Sequence, residues 1–222
     1  MKNFIHAVQT DIDAALQRDP AANSKIEIIL CYPGFHAIFL HRISHFIFKK
    51  GLKLVARFLS HISRLLTGIE IHPGAQIDIG FFIDHGMGVV IGETSIIGKN
   101  CTIYHGVTLG GVSLKKEKRH PTLEDGVLVG VGARILGPHK IGKGVRIGAG
   151  SVVISDVPPD CTVVGVPARI VSGLSEEYNE EHPEISFEHD ELPDPIQNSI
   201  YHLDKRIEDL EKRMKDEETS NQ

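Results

Sequence analysis

Tryptophan is absent from this chain, aromatic residues make up 6% of it, and cysteine and methionine number three each. Few large rings exclude an aromatic-rich globular core and favour a scaffold of short turns and small packed side chains. The three cysteines, Cys31, Cys101 and Cys161, lie far apart and form no CxxC pair, which excludes a disulfide framework and a cysteine-based metal site. No apolar run reaches the roughly twenty residues that a bilayer crossing requires. The first residues, Met1–Asp13, carry acids and lack the apolar segment of a secretory signal. Together these absences predict a reducing, cytoplasmic compartment. The formal charge of −5 excludes nonspecific nucleic-acid binding as the main task. An apolar fraction of 41% is enough to build a core.

Charge is spread unevenly. Between Leu30 and Ile69 the chain holds Arg42, Lys49, Lys50, Lys53, Arg57 and Arg64 and no acid, whereas beyond Gly173 it turns strongly acidic. The basic stretch reads either as a membrane-seeking helix or as a solvated helix face on a folded domain.

Three regions follow one another. Residues 1–68 carry helical spacing, in Phe35, Ile38, Phe39, Ile43, Phe46 and Ile47 and again from Leu52 to Leu66. Pro33-Gly34 and Gly51 punctuate these runs, and Asp19-Pro20 has the pattern of a capped helix start. In residues 69–172 aliphatic side chains recur every six positions: Ile71, Ile77 and Ile83; Ile91, Ile97, Ile103 and Leu109; Val129, Ile135, Ile141, Ile147 and Val153. Small residues such as Ala75, Ser95, Cys101 and Ala133 follow four places later. A period of six is the signature of a β-helix, in which each unit is one short strand and a corner and buries its face only against stacked neighbours. Residues 173–222 form an acidic, proline-interrupted linker and then an apolar seam at Ile196, Ile200, Leu203, Ile207, Leu210 and Met214, the pattern of an amphipathic helix that packs on its own subunit or between subunits. The fold class is therefore α+β: an N-terminal α-helical domain, a β-helix and a C-terminal helical tail.

The six-residue rhythm breaks twice. The step from Ile83 to Ile91 is eight, with the excess at Asp84-His85-Gly86-Met87-Gly88. The step from Leu109 to Val129 is twenty, which inserts a loop bearing Lys118, Arg119 and His120. Insertions on a rigid scaffold are where binding surface concentrates. If the first insertion is absorbed locally, His85 and His105 lie one coil apart on the same face, about 4.8 Å from strand to strand.

Several motifs, in order, are those of one family. Arg18-Asp19-Pro20-Ala21, Glu70-Ile71-His72-Pro73-Gly74-Ala75, Asp84-His85, Gly92-Glu93-Thr94, Val107-Thr108-Leu109-Gly110-Gly111, Lys118-Arg119-His120-Pro121 and Gly165-Val166-Pro167-Ala168-Arg169 resemble the bacterial serine acetyltransferases. The resemblance implies a left-handed β-helix with three repeats per triangular coil. It implies transfer of acetyl from acetyl-CoA to the hydroxyl of L-serine, the first step of cysteine biosynthesis, with no metal. It assigns His85 as general base, with Glu70 as the acid that orients it where many relatives carry aspartate. Asp19 and Asp84 match positions that hold the substrate ammonium, and Arg119 and His120 positions that hold its carboxylate. A forked guanidinium suits a carboxylate, and paired acids suit an ammonium. Backbone N–H groups at Gly110 or Gly111 are candidates for the oxyanion, and Val131, Gly132, Arg134 and Arg169 for the wall that holds CoA. L-cysteine is an expected feedback inhibitor. A homotrimer is expected over a hexamer because the longer N-terminal extension of many relatives is missing. A complex with cysteine synthase is not expected, because the terminal isoleucine that enters that partner is missing. Competing expectations are an acetyltransferase for another hydroxy amino acid or a sugar, a zinc hydratase of the gamma carbonic anhydrase kind using His85, His105 and either His72 or His120, and a non-catalytic trimeric scaffold.

Overall fold

The structure is a computed structural model, and it describes residues 2–172 and 205–207. Four helices come first: α1 (Lys2–Arg18), α2 (Lys25–Cys31), α3 (Pro33–Lys49) and α4 (Lys53–Thr67). No helix starts at Asp19, contrary to the expectation from its Asp-Pro pair. Asp19 instead closes α1, and its carboxylate accepts the N–H of Ala21 at 2.8 Å in a tight turn. The next helix begins at Lys25 because Ser24 accepts the Glu27 N–H at 3.2 Å and the Glu27 carboxylate accepts the Asn23 N–H at 2.8 Å. Pro33 occupies the first turn of α3 rather than preceding it, since its missing N–H is one that a helix start leaves unused. Gly34 lies inside that helix, where a Cβ would come within 2.1 Å of the Ile83 carbonyl oxygen.

The remaining chain winds through three parallel sheets. The first holds β1 (Glu70–Ile71), β4 (Val90–Ile91), β7 (Thr108–Gly110), β10 (Arg134–Leu136) and β13 (Val152–Val153). The second holds β2 (Gln76–Ile77), β5 (Ile96–Ile97), β8 (Thr122–Leu123) and β11 (Lys140–Ile141). The third holds β3 (Phe82–Ile83), β6 (Thr102–Ile103), β9 (Leu128–Val129), β12 (Arg146–Ile147) and β14 (Thr162–Gly165), and β15 (Ala168–Ser172) closes it as an antiparallel hairpin. Successive strands visit the three sheets in turn, so the chain forms a triangular β-helix.

The six-residue series explains this winding. Ile71, Ile91, Leu109, Ile135 and Val153 stack inside the first sheet, and Ile83, Ile103, Val129, Ile147 and Val163 inside the third, all buried in one core. The small residues Ala75, Ser95, Cys101, Ala133 and Ser151 are buried at the bends. Ala37 and Ile38 of α3 join the same core beside Ile69 and Phe81, so the helices cover its first coil.

Two arginines clamp the helices in place. Arg42 of α3 makes a two-pronged contact with Asp11 of α1, at 2.8 and 2.9 Å, and donates to the Ile77 and Asp78 carbonyls. Burial pushes the Asp11 carboxyl upward, and its oxygen also accepts the Gly80 N–H. Arg18, the last residue of α1, donates to the Gly80 and Cys101 carbonyls and to the Thr102 hydroxyl. That fork fixes where the following residue, Asp19, must lie. The expected C-terminal linker and seam fall outside the described residues, apart from the helical turn Lys205–Ile207.

Candidate active site

The sequence-predicted residues gather at two different edges of the triangular prism. One edge joins the third sheet to the first, where the chain passes from β3 to β4 and from β6 to β7. The other joins the first sheet to the second, where it passes from β4 to β5 and from β7 to β8.

At the first edge the two-residue excess is absorbed locally: Ile83 pairs with Ile103 and Ile91 with Leu109. The excess throws His85 outward. Its backbone is left-handed at φ 56°, a conformation that costs a non-glycine residue about 1 kcal/mol and that clusters at functional sites. The ring is 75% exposed and points away from the core. His105, one coil on, meets it edge to face with ring centroids 5.7 Å apart, as the repeat arithmetic requires.

Asp19 and Asp84 converge on the same edge, and Tyr32 and Tyr104 report it. The Tyr32 hydroxyl donates to Asp19 at 2.6 Å, and this bond, together with burial and the charges of Asp19 and Asp84, raises its pKa. Burial, then Asp84 and Asp19, raise that of Tyr104. A concentration of negative charge therefore sits beside an exposed imidazole.

Glu70 behaves differently from its assigned role within this chain. Its carboxylate faces α4 and lies 3.4 Å from Arg64, while the acid within reach of the His85 ring is Asp84, at 4.0 Å. Glutamate is one methylene longer than aspartate, which lets it extend to the helix.

Above His85 the edge carries a strip of bare backbone. Gly88, Gly106, Gly132 and Gly150 stack through the hydrogen bonds Gly106 N–H to Met87 O, Gly132 N–H to His105 O and Gly150 N–H to Val131 O. All four have positive φ, and a Cβ at Gly132 or Gly150 would meet nothing within 4 Å, so the groove is open. Val131 flanks the strip, Arg134 lies exposed at the start of β10, and Arg169 is exposed on the terminal hairpin.

The second edge is built in the opposite manner. His120 is buried, 7% exposed, and its Nδ1 accepts the Thr94 N–H at 3.2 Å and faces the Thr94 hydroxyl at 2.9 Å. That hydroxyl accepts the N–H groups of Arg119 and His120, both at 3.1 Å, leaving its own hydrogen for Nδ1. The pattern assigns the neutral tautomer with hydrogen on Nε2. Burial, then Arg119 and Lys118, lowers the ring's pKa, which agrees with a neutral donor. Gly92 makes this seat, because a Cβ there would lie 2.1 Å from Nε2. Lys118 gathers the loop by donating to the carbonyls of Thr94, His120 and Pro121. Arg119 lies 3.6 Å from Glu93 and donates to the Ser113 carbonyl. Gly111 packs against Arg119 and His120, and Gly110 accepts the Gly137 N–H at 3.0 Å.

Sequence reasoning missed Tyr32, Tyr104, Thr94 and Lys118. Three had a signal: Tyr104 adjoins His105 at an outward repeat position, Thr94 closes the Gly92-Glu93-Thr94 motif, and Lys118 heads the loop motif. Tyr32 had none, since only the folded hairpin of helices brings it to Asp19. The three-histidine zinc set is not assembled. His72 instead accepts the Gly74 N–H and packs on Phe48, His120 belongs to the other edge, and the described residues hold no group of three side chains suited to a metal. No single helix among the described residues is long and apolar enough to cross a membrane.

Comparison with known proteins agrees with this geometry. The family model described as "Serine acetyltransferase, N-terminal" matches residues 1–39. The serine acetyltransferase of Synechococcus elongatus is 52% identical over 206 residues, covering 92% of this chain and 81% of its own. That of Bacillus subtilis is 48% identical over 213 residues, covering 96% of each. Among solved structures, the Neisseria gonorrhoeae serine acetyltransferase in complex with serine superposes with a TM-score of 0.75 at 46% identity, covering 77% of this chain and 70% of that one. A serine acetyltransferase in complex with cysteine gives 0.76 at 42% identity, with 77% and 71% covered. The Brucella abortus serine acetyltransferase in complex with coenzyme A gives 0.75 at 43% identity, with 77% and 68% covered. Triangular coils, a six-residue core repeat and identity near one half over nearly the whole length lead to one conclusion: this chain belongs to the serine acetyltransferase family.

Proposed function

We propose that this enzyme, which moves acetyl from acetyl-CoA to the hydroxyl of L-serine, assembles each active site from the first edge of one subunit and the second edge of the next. The observation that carries this reading is the separation itself. A zwitterion needs anions on one side and a cation on the other, and Asp19 and Asp84 sit on a different edge of the prism from Arg119 and His120. A symmetric homotrimer of parallel prisms brings such edges face to face.

In that site Asp19 and Asp84 take the serine ammonium. Arg119 of the neighbouring subunit forks onto the carboxylate, with the neutral His120 donating from Nε2. His85 accepts the hydroxyl proton as the serine oxygen bonds to the thioester carbon, then returns it to sulfur as the carbon–sulfur bond breaks. Backbone N–H groups at Gly110 or Gly111 stabilise the carbonyl oxygen as it gains charge. Asp84, with its carboxylate 4.0 Å from the ring, supports the protonated imidazole by charge alone, and Glu70 reaches it only by leaving Arg64. The bare strip beside Val131, Gly132 and Arg134 accepts the CoA arm, with Arg134 and Arg169 toward its phosphates. L-cysteine has the same zwitterion as serine and inhibits by occupying the same groups, in line with the relative solved with cysteine. The reaction runs in the reducing cytoplasm, which suits the free, buried Cys101 and Cys161.

Free thiol release from acetyl-CoA with L-serine, L-homoserine and a panel of sugars tests the reading. Strong preference for L-serine is expected, and equal turnover of a sugar would refute it.

A further inference from the structure

Helix α4 is amphipathic the wrong way round. The face it turns to the protein is small and polar, with Ala56, Ser60, Ser63 and Thr67 buried, and the Ser60 hydroxyl donates to the Ile71 carbonyl at 2.7 Å. The face it turns outward carries Leu54, Phe58, Ile62 and Leu65, at the i, i+4, i+8 and i+11 spacing of a single stripe, with Leu54 84% and Phe58 65% exposed. Val55 and Leu66 widen the stripe. A contiguous apolar surface of this extent marks an interaction site. Its rim is cationic, with Lys49 and Lys50 at the end of α3 and Lys53 and Arg57 on α4, while Arg64 is paired with Glu70; residues 30–69 contain no acid.

The same chain carries a complementary sequence. Residues 173–195 hold nine acids and no lysine or arginine, and they lead into the seam at Ile196, Ile200, Leu203, Ile207, Leu210 and Met214, whose alternating steps of four and three suit a helix-on-helix contact. Ile207, in the described helical turn, is 52% exposed. The tether is long enough. Twenty-three residues span up to about 75 Å, whereas the stacked coils between β14 and β3 rise only about 19 Å.

We propose that residues 196–214 dock on the outward face of α4, with the acidic run 173–195 lying along its cationic rim. Charge decides against the other occupants. A second copy of α4 would set Lys53 and Arg57 against their own kind. An anionic membrane would have to hold the acidic run that follows in the same chain, within a protein of net charge −5.

The test uses the full chain. Zero-length carbodiimide cross-linking, read by mass spectrometry, should join Lys49, Lys50 or Lys53 to carboxylates between residues 176 and 194, and 0.5 M salt should weaken these links. A Leu203→Glu, Leu210→Glu variant should retain serine turnover, bind several-fold more of a hydrophobic dye, and exchange the α4 amides on the order of tenfold faster. Phe58→Glu should lose the same cross-links from the other side of the contact. Three results would overturn the proposal: wild-type dye binding already equal to that of the seam variant; α4 protection unchanged in that variant, which means a second copy covers the face; or α4 protection gained only on anionic phosphatidylglycerol vesicles.

Discussion

His85 and His120 are the same side chain put to opposite uses. His85 stands on a left-handed residue in a local insertion, exposed, without a hydrogen bond to another described residue and touched by the ring of His105. His120 is buried, fixed through Nδ1 by Thr94 and seated over Gly92, with its pKa lowered by burial and by Arg119 and Lys118. A base must take and release a proton and face the reacting atom, so it is left unencumbered. An anchor must keep one tautomer, so it is tied from several sides. The scaffold provides both by departing from its rhythm at these two places.

The contrast can be broken by substitution. The largest effect is expected at the free ring: His85→Ala should lower kcat by about 10²–10⁴-fold with the fold intact, measured as thiol release alongside circular dichroism. Next comes the carboxylate anchor. Arg119→Ala should lower kcat/KM for serine by roughly 10–100-fold, the loss of a charged hydrogen-bonding pair, mainly through KM, and Arg119→Lys should restore only part because the fork is lost. Smaller still is the anchor's support. Thr94→Val removes the hydroxyl that faces Nδ1 and leaves the amide, so about 1 kcal/mol, or several-fold in KM, is expected. An unchanged KM would show that the tautomer of His120 does not matter.

A third histidine sharpens the comparison through pH. His41 is buried between α3 and the first coil, its Nδ1 has no partner, and burial with the charges of His45 and Arg42 pushes its pKa down to about 3. The unfolded chain takes up this proton near pH 6.5, whereas the folded chain resists it down to about 3. Stability from this group is therefore complete above pH 6.5 and falls as pH drops from there toward 3, by a few kcal/mol in total. The buried carboxyl of Asp11, shifted upward, works with the opposite sign. Urea unfolding at pH 7 and pH 5 should show the loss, and His41→Leu should flatten it.

The repeat was the most legible part of the sequence because every coil imposes the same packing demand. Ile83 and Ile103 could be paired by counting alone, and with them His85 and His105. Positions that depend on helix docking were hidden. Asp19 read locally as a helix start, but Arg18 and Tyr32 hold it as an outward carboxylate through contacts with residues far away in sequence. Glu70 matched a role by motif, yet one extra methylene and a nearby Arg64 direct it elsewhere within the subunit. The basic stretch 30–69 suggested either a membrane-seeking helix or a solvated face, and α4 turned out to present leucine and phenylalanine to solvent. Periodicity shows that a stripe exists, but only the fold shows which way it points.

Mixing two crippled enzymes tests the shared site most directly. His85→Ala subunits, inactive or nearly so alone, and Arg119→Ala subunits, weakened mainly in KM, are exchanged into mixed trimers and assayed with acetyl-CoA at L-serine far below the KM of Arg119→Ala, where neither parent turns over appreciably. If one site takes His85 from one subunit and Arg119 from the next, random mixing should restore about a quarter of the wild-type sites. No recovery, in trimers shown by mass spectrometry to be mixed, would mean that each subunit carries its own complete site and would contradict the account.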